Sequence, residues 1–122
     1  MKSNDDVAQT LKKPKVFVIE PTRKELHVDR LQAYGDVKFI FEPNDRRCSV
    51  FQHDQFGRLV IDRLNELSYD HNADHLCIVG SVVAIVVTVT ALAQHFGRFN
   101  ALIFDAINAN YVPRTFDPTL WS

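Results

Sequence analysis

The stretch from His75 to Asp105, HLCIVGSVVAIVVTVTALAQHFGRFNALIFD, decides how this chain folds. Between His75 and Pro113 only Arg98 and Asp105 carry a formal charge, although the 122 residues include 14 basic and 15 acidic side chains. Leu76 to Ala93 is an uncharged run of 18 residues, which reaches the lower length limit for a membrane-spanning helix. Three features argue against a span: Gly80-Ser81 breaks the run, Thr88 and Thr90 place hydroxyls inside it, and no basic residue flanks its N-terminal side. Split at the break, His75–Gly80 reads as a short buried strand, Ser81 as a helix N-cap, and Val82–Phe96 as a helix stopped by Gly97. The many β-branched residues have modest helix propensity, so one long buried strand is the competing reading. Spacing favours the split, because Phe99–Asp105 reads as the next strand and parallel neighbours need a crossover helix. A single span through residues 76–93 remains the lesser alternative.

Working upstream, Lys15-Val-Phe-Val-Ile-Glu20 is a β-branched and aromatic run closed by Pro21, the signature of a buried strand. Thr22-Arg-Lys-Glu25 then forms a capping box, in which hydroxyl and carboxylate satisfy the free amides of a helix start. Leu26, Arg30, Ala33 and Tyr34 follow at helical spacing up to Gly35, so the first helix is expected over 22–34. Asp36–Glu42 is a second strand, stopped by Pro43. Beyond the loop Asn44–Cys48, Ser49 and Gln52 make another capping box. There Phe56, Leu59, Val60, Leu64 and Leu67 form an apolar stripe opposite Arg58, Asp62, Arg63 and Glu66.

Downstream, Ala106–Ala109 is a short turn, and Asn110–Phe116 reads as an antiparallel partner of the preceding strand. Pro113 fits at a sheet edge, where a missing donor is tolerated. The sum is β-α-β-α-β-α-β-β, a small three-layer α/β domain of Rossmann or flavodoxin-like type over residues 14–116, mostly parallel with an antiparallel C-terminal hairpin. Residues 1–13 are expected to be a disordered tail without the apolar core of a secretory signal, and 117–122 an irregular tail in which Trp121 docks on the core or joins a partner surface.

The totals exclude some functions. A net charge of −1 provides no field to gather phosphate backbones or anionic lipid, so general nucleic-acid and membrane-surface binding are disfavoured. Cys48 and Cys77 show no CxxC pairing, which suits a reduced, cytoplasmic chain rather than a disulfide framework. Arg46 and Arg47 would favour a thiolate at Cys48, although a lone cysteine is more often inert filler. No G-x-G-x-x-G follows the first strand, and every lysine lies at or before Lys38, so no Walker lysine follows Gly80. No cofactor is therefore implied, and the flanks of Gly80-Ser81 do not make a hydrolase elbow.

Open parallel sheets bind ligands beyond the carboxyl ends of their strands. With the first and third strands adjacent, that rim collects Glu20, Thr22 and Arg23 with Gly80 and Ser81, flanked by Asn44, Arg46 and Arg47 and by Asp105 and Asn108. Helix-start amides and arginines both favour anions, so a small phosphate-bearing ligand is the physically preferred one, contacted by Thr22, Arg23, Arg46, Arg47, Gly80, Ser81 and Asp105. The plainer reading makes Ser81 a cap and nothing more. The cluster Tyr69–His75 opens like a calcium loop but lacks its glycine and its closing glutamate, and His71 with His75 falls short of a metal-ligand set. It reads as a polar loop, and no metal is expected.

The third helix is apolar nearly all round, from Val82 and Val83 through Val86 to Leu92. A helix covering one sheet normally keeps a polar outer face, so this one should be buried on a second side, and another copy of the chain is the expected cover. The alternative is that neighbouring helices and the tail enclose it. Two functions follow from these features. One is a non-catalytic, homo-oligomeric binding or accessory module. The other is an enzyme for a phosphate-containing or nucleotide substrate, with Arg46 or Arg47 supplying charge and Glu20 or Asp105 an acid or base. The absence of paired acids, a placed histidine and a lysine at the rim favours the first.

Overall fold

Strand β1 (Lys15–Val18) is buried on both faces because its alternating side chains serve two different cores. Phe17 and Ile19 point to one side, Val16 and Val18 to the other. The computed structural model describes residues 13–19, 28–41 and 53–121. Around β1 these residues form α1 (Val28–Leu31), β2 (Asp36–Phe39), α2 (His53–Glu66), β3 (His75–Cys77), α3 (Val82–Phe96), β4 (Phe99–Asp105), β5 (Asn110–Phe116) and a 3₁₀ turn (Pro118–Trp121). The sheet order is β2-β1-β3-β4-β5, with β1 to β4 parallel and β5 antiparallel to β4. The architecture is thus mixed α/β around a five-stranded, mostly parallel sheet.

Helices α2 and α3 pack side by side on one face, where Phe56, Val60 and Leu64 meet Phe17, Leu76, Ala84, Leu92 and Ala101. Burying each of the larger side chains, from Val60 up to Phe17 and Phe56, contributes roughly 1.5–3 kcal/mol relative to leaving it in water. Gly57 lies where the two helices meet, and a Cβ there would stand in ordinary van der Waals contact, 3.7 Å from Ala91 Cβ and from Val87 Cγ1. On the other face, Leu31 of α1 covers Val16, Val18, Cys77, Leu102 and Tyr111. Arg63 ties the helix layer to the second strand by donating from Nε to the Ile40 carbonyl at 2.8 Å.

The third helix, the fourth strand and the hairpin stand where their sequence places them. Other bounds differ. The strand expected over 75–80 leaves the sheet after Cys77, because Val79 N–H turns back to the Cys77 carbonyl at 3.0 Å and Gly80 adopts a φ of 136°. This turn also separates β3 from α3, so residues 76–93 are no continuous span, and no helix among the described residues is long and apolar enough to cross a membrane. Of the helix expected over 22–34, residues 22–27 lie outside the described ones. After Leu31 it tightens into a turn, with Tyr34 N–H on the Leu31 carbonyl at 2.9 Å. Gly35 ends that turn at a φ of 151°, where a Cβ would lie 2.3 Å from the Pro14 carbonyl oxygen, so only glycine fits. Pro118–Trp121, expected to be irregular, is a 3₁₀ turn started by Asp117, which accepts from Thr119 N–H and Oγ1 at 3.0 and 2.7 Å.

Candidate functional site

The parallel order puts the carboxyl ends of β1, β3 and β4 along one rim, and the chain leaves β1 toward β2 but β3 toward β4. Such a divergence opens a crevice between the two strands, where α/β sheets commonly place ligands. Gly80 and Ser81 lie there. Ser81 has extended backbone, and its Oγ accepts from Ala84 N–H at 3.2 Å, as a helix N-cap does. The side chains beside it are apolar: Val82 and Val83 are 75% and 46% exposed.

Asp105 stands three residues beyond Leu102, the partner of Cys77, so β4 carries it past the end of β3. Its oxygens serve the hairpin turn. Oδ1 accepts from Ile107 N–H at 3.0 Å and Asn108 N–H at 3.4 Å, while Oδ2 accepts from Asn108 Nδ2 at 2.7 Å. The Asn108 side-chain bond, assisted by the two backbone amides, holds the carboxyl below its usual range. Thr22, Arg23, Arg46 and Arg47, with Glu20, Asn44 and Cys48, lie outside the described residues. Of the expected rim set, the structure therefore positions Gly80, Ser81 and Asp105.

The loop 69–75 is built around Asp74, which is 1% exposed and caps the turn by accepting from Asp70 N–H at 2.8 Å. His71 stacks on Phe96, with ring centroids 5.6 Å apart, whereas His75 lies 6.1 Å from Tyr34. The two histidines thus have separate environments, and no group of three metal-ligating side chains occurs among the described residues. Cys77 is buried, and burial pushes its thiol up to about 11 despite the opposing hydrogen bond with Tyr111. A thiol held protonated in this way is a poor nucleophile.

A large concavity lies elsewhere among the described residues, between α3, β4 and β5, with a cavity of about 760 Å³. Val89, Ala93, Phe99, Ile103, Phe116 and Trp121 form most of its wall. It is open because β4 passes to β5 through a tight hairpin, which leaves no helix to follow α3 across this face. Phe99 and Phe116 pair across the hairpin, with ring centroids 5.4 Å apart and an interplanar angle of 23°. The uncharged stretch signalled apolar excess on α3. That Phe116 and Trp121 return to the same place depends on the hairpin register, which periodicity does not reveal.

The outer edge of β5 is blocked to a further strand at Tyr111 and Pro113. Leu102 accepts from Ile78 and so faces β3, which leaves its partner Pro113 facing outward, together with Tyr111 and Thr115. Pro113 has no N–H, and its carbonyl accepts from Arg114 Nη1 at 2.8 Å. Tyr111 N–H donates to its neighbour Asn110 Oδ1 at 2.9 Å, and its carbonyl accepts from Tyr34 Oη at 3.1 Å. Such occupied groups protect an edge strand against pairing.

The features above define a small mixed α/β protein with a capped helix start at the sheet rim and an apolar groove on one face. The chain belongs to the family described as Phage Pam3 gp32-like protein, which matches it over residues 14–118. No curated protein and no solved structure matches it.

Proposed function

We propose that this chain is a non-catalytic, self-associating binding or accessory module that meets its own copies through α3. The observation that carries this reading is the bare apolar face of that helix. Its inner side is buried through Ala84, Thr88 and Leu92, while Val82, Val83 and Val86 remain 46–75% exposed. Among the described residues none covers these valines: α2 takes one flank of the helix and the groove opens on the other. Exposed contiguous apolar surface of this kind marks an interaction site. Among the described rim residues, Ser81 is engaged in capping α3 and Asp105 in holding the hairpin turn. A small anionic ligand at that rim would depend on Arg46 and Arg47.

Light scattering across a concentration series tests the reading. The expected result is an oligomer that Val86→Glu converts to monomer without loss of helical circular dichroism. A monomer at several hundred micromolar, or an oligomer indifferent to Val86→Glu, overturns it.

A further inference from the structure

We infer that the groove between α3, β4 and β5 receives Leu120 and Trp121 of a second copy, so that two chains exchange their C-terminal turns across a two-fold axis. This inference rests on the self-association proposed above and specifies its geometry.

Both halves of the contact are present on one chain. The groove is a hole of about 760 Å³ walled by Phe99, Ile103 and Phe116. At its margin, the turn Pro118–Trp121 holds Leu120 and Trp121 77% and 71% exposed. Trp121 lines the groove without filling it. A two-fold axis passing beside this turn sets each Trp121 against the other chain's groove, and a self-complementary patch is what a two-fold contact requires.

The patch also runs on into the valine face. Val82, Val86, Val89 and Ala93 follow at i, i+4, i+7 and i+11, one side of a helix, and the last two are groove walls. Val82, Val83, Val86, Leu120 and Trp121 together expose on the order of 600 Å² of largely apolar surface, and the groove walls add to it, against ~800 Å² per partner in a standard interface. Two copies thus offer about 1,200 Å² in total before the groove walls are counted, the lower end of specific, stable interfaces. The formal net charge of the chain is only −1, so two identical copies carry little net repulsion against pairing. Pairing through β5 is hindered as a substitute, because Pro113 has no N–H and the outward backbone groups of Tyr111 are already bonded.

Trp121 is the only tryptophan, which makes its fluorescence a direct readout. Seated in the partner's groove, the indole should emit to the blue, and dilution should move emission to the red at the concentration where light scattering records dissociation. Leu120→Ser should weaken association about tenfold or more, as expected for an anchor side chain in a pocket. Exposed Leu120 contributes little to the fold itself, and an unchanged melting transition at monomer concentration verifies this. As a second measurement, a chain carrying Gln94→Cys is mixed with one carrying Leu120→Cys, both with Cys48→Ser, and an interchain disulfide is expected. If the chain pairs through Val86 but Trp121 emission ignores concentration and Leu120→Ser associates normally, the exchange is overturned while self-association stands. A chain that stays monomeric overturns both.

Discussion

Asp74 grips Lys15 at two points, accepting from its backbone N–H at 2.7 Å through Oδ1 and pairing with its ammonium at 3.2 Å through Oδ2. The two residues are 59 positions apart, and their side chains are 1% and 11% exposed. Together they join the start of β1 to the loop that leads into β3, at the end of the sheet opposite the rim. Removing one partner of a buried pair leaves the other charge without compensation. Asp74→Ala should therefore destabilise the fold by about 3–5 kcal/mol in urea denaturation. Asp74→Leu combined with Lys15→Met should recover much of that loss, because it removes both charges. A double variant as unstable as Asp74→Ala would show that the backbone bonds to Lys15 and Asp70 dominate.

Ser81 caps α3 and has no other hydrogen-bonding role among the described contacts of its side chain. Ser81→Ala should cost about 1 kcal/mol, and Ser81→Asp should restore it, since a carboxylate also accepts from the helix amides and opposes the helix dipole favourably. Thermal unfolding of the three proteins checks this order. If Ser81→Asp is less stable than Ser81→Ala, the helix start must already face negative charge.

Thr88 lies fully buried in α3, and its Oγ1 has no hydrogen-bond partner among the described residues. An unpaired buried hydroxyl costs about 1–3 kcal/mol. Thr88→Val, which keeps the branched shape, should raise stability by about 1 kcal/mol or more in denaturant unfolding. A decrease would place a water on the hydroxyl.

Burial holds the His75 imidazole below its ordinary value, against a smaller opposing pull from Asp74. The unfolded chain then binds a proton first, so stability should fall as pH drops below about 6.5 and level off once the folded imidazole titrates as well. Above that range His75 adds no pH dependence. The check is the difference in unfolding free energy between the chain and His75→Gln from pH 5 to 8. The gap should change only on the acid side, in the direction of a smaller acid loss for the variant.

Much of this fold was legible locally. Helix α3 begins at Ser81 and ends at Gly97 as the capping residues require, and Gly97 N–H returns to the Ala93 carbonyl at 2.9 Å. The hairpin from Phe99 to Phe116 likewise follows from two extended runs and a short turn. Strand ends were less legible, since the exit after Cys77 depends on a single bond from Val79 and on the backbone of Gly80. At the rim, Asp105 carried the residue type of an acid or ligand, and only its neighbours' positions show that its oxygens are engaged by Ile107 and Asn108.

By itself, the sequence determined the element types, the apolar excess of α3 and the placement of Pro113 at an edge, because caps, periodicity and proline geometry act over a few residues. Tertiary structure decided what those elements enclose. The order β2-β1-β3-β4-β5, the Asp74–Lys15 pair and the groove that unites Phe99, Phe116 and Trp121 with α3 all join positions far apart in the chain. Contacts of that kind arise from packing one surface against another, and local propensity carries no record of which surfaces meet.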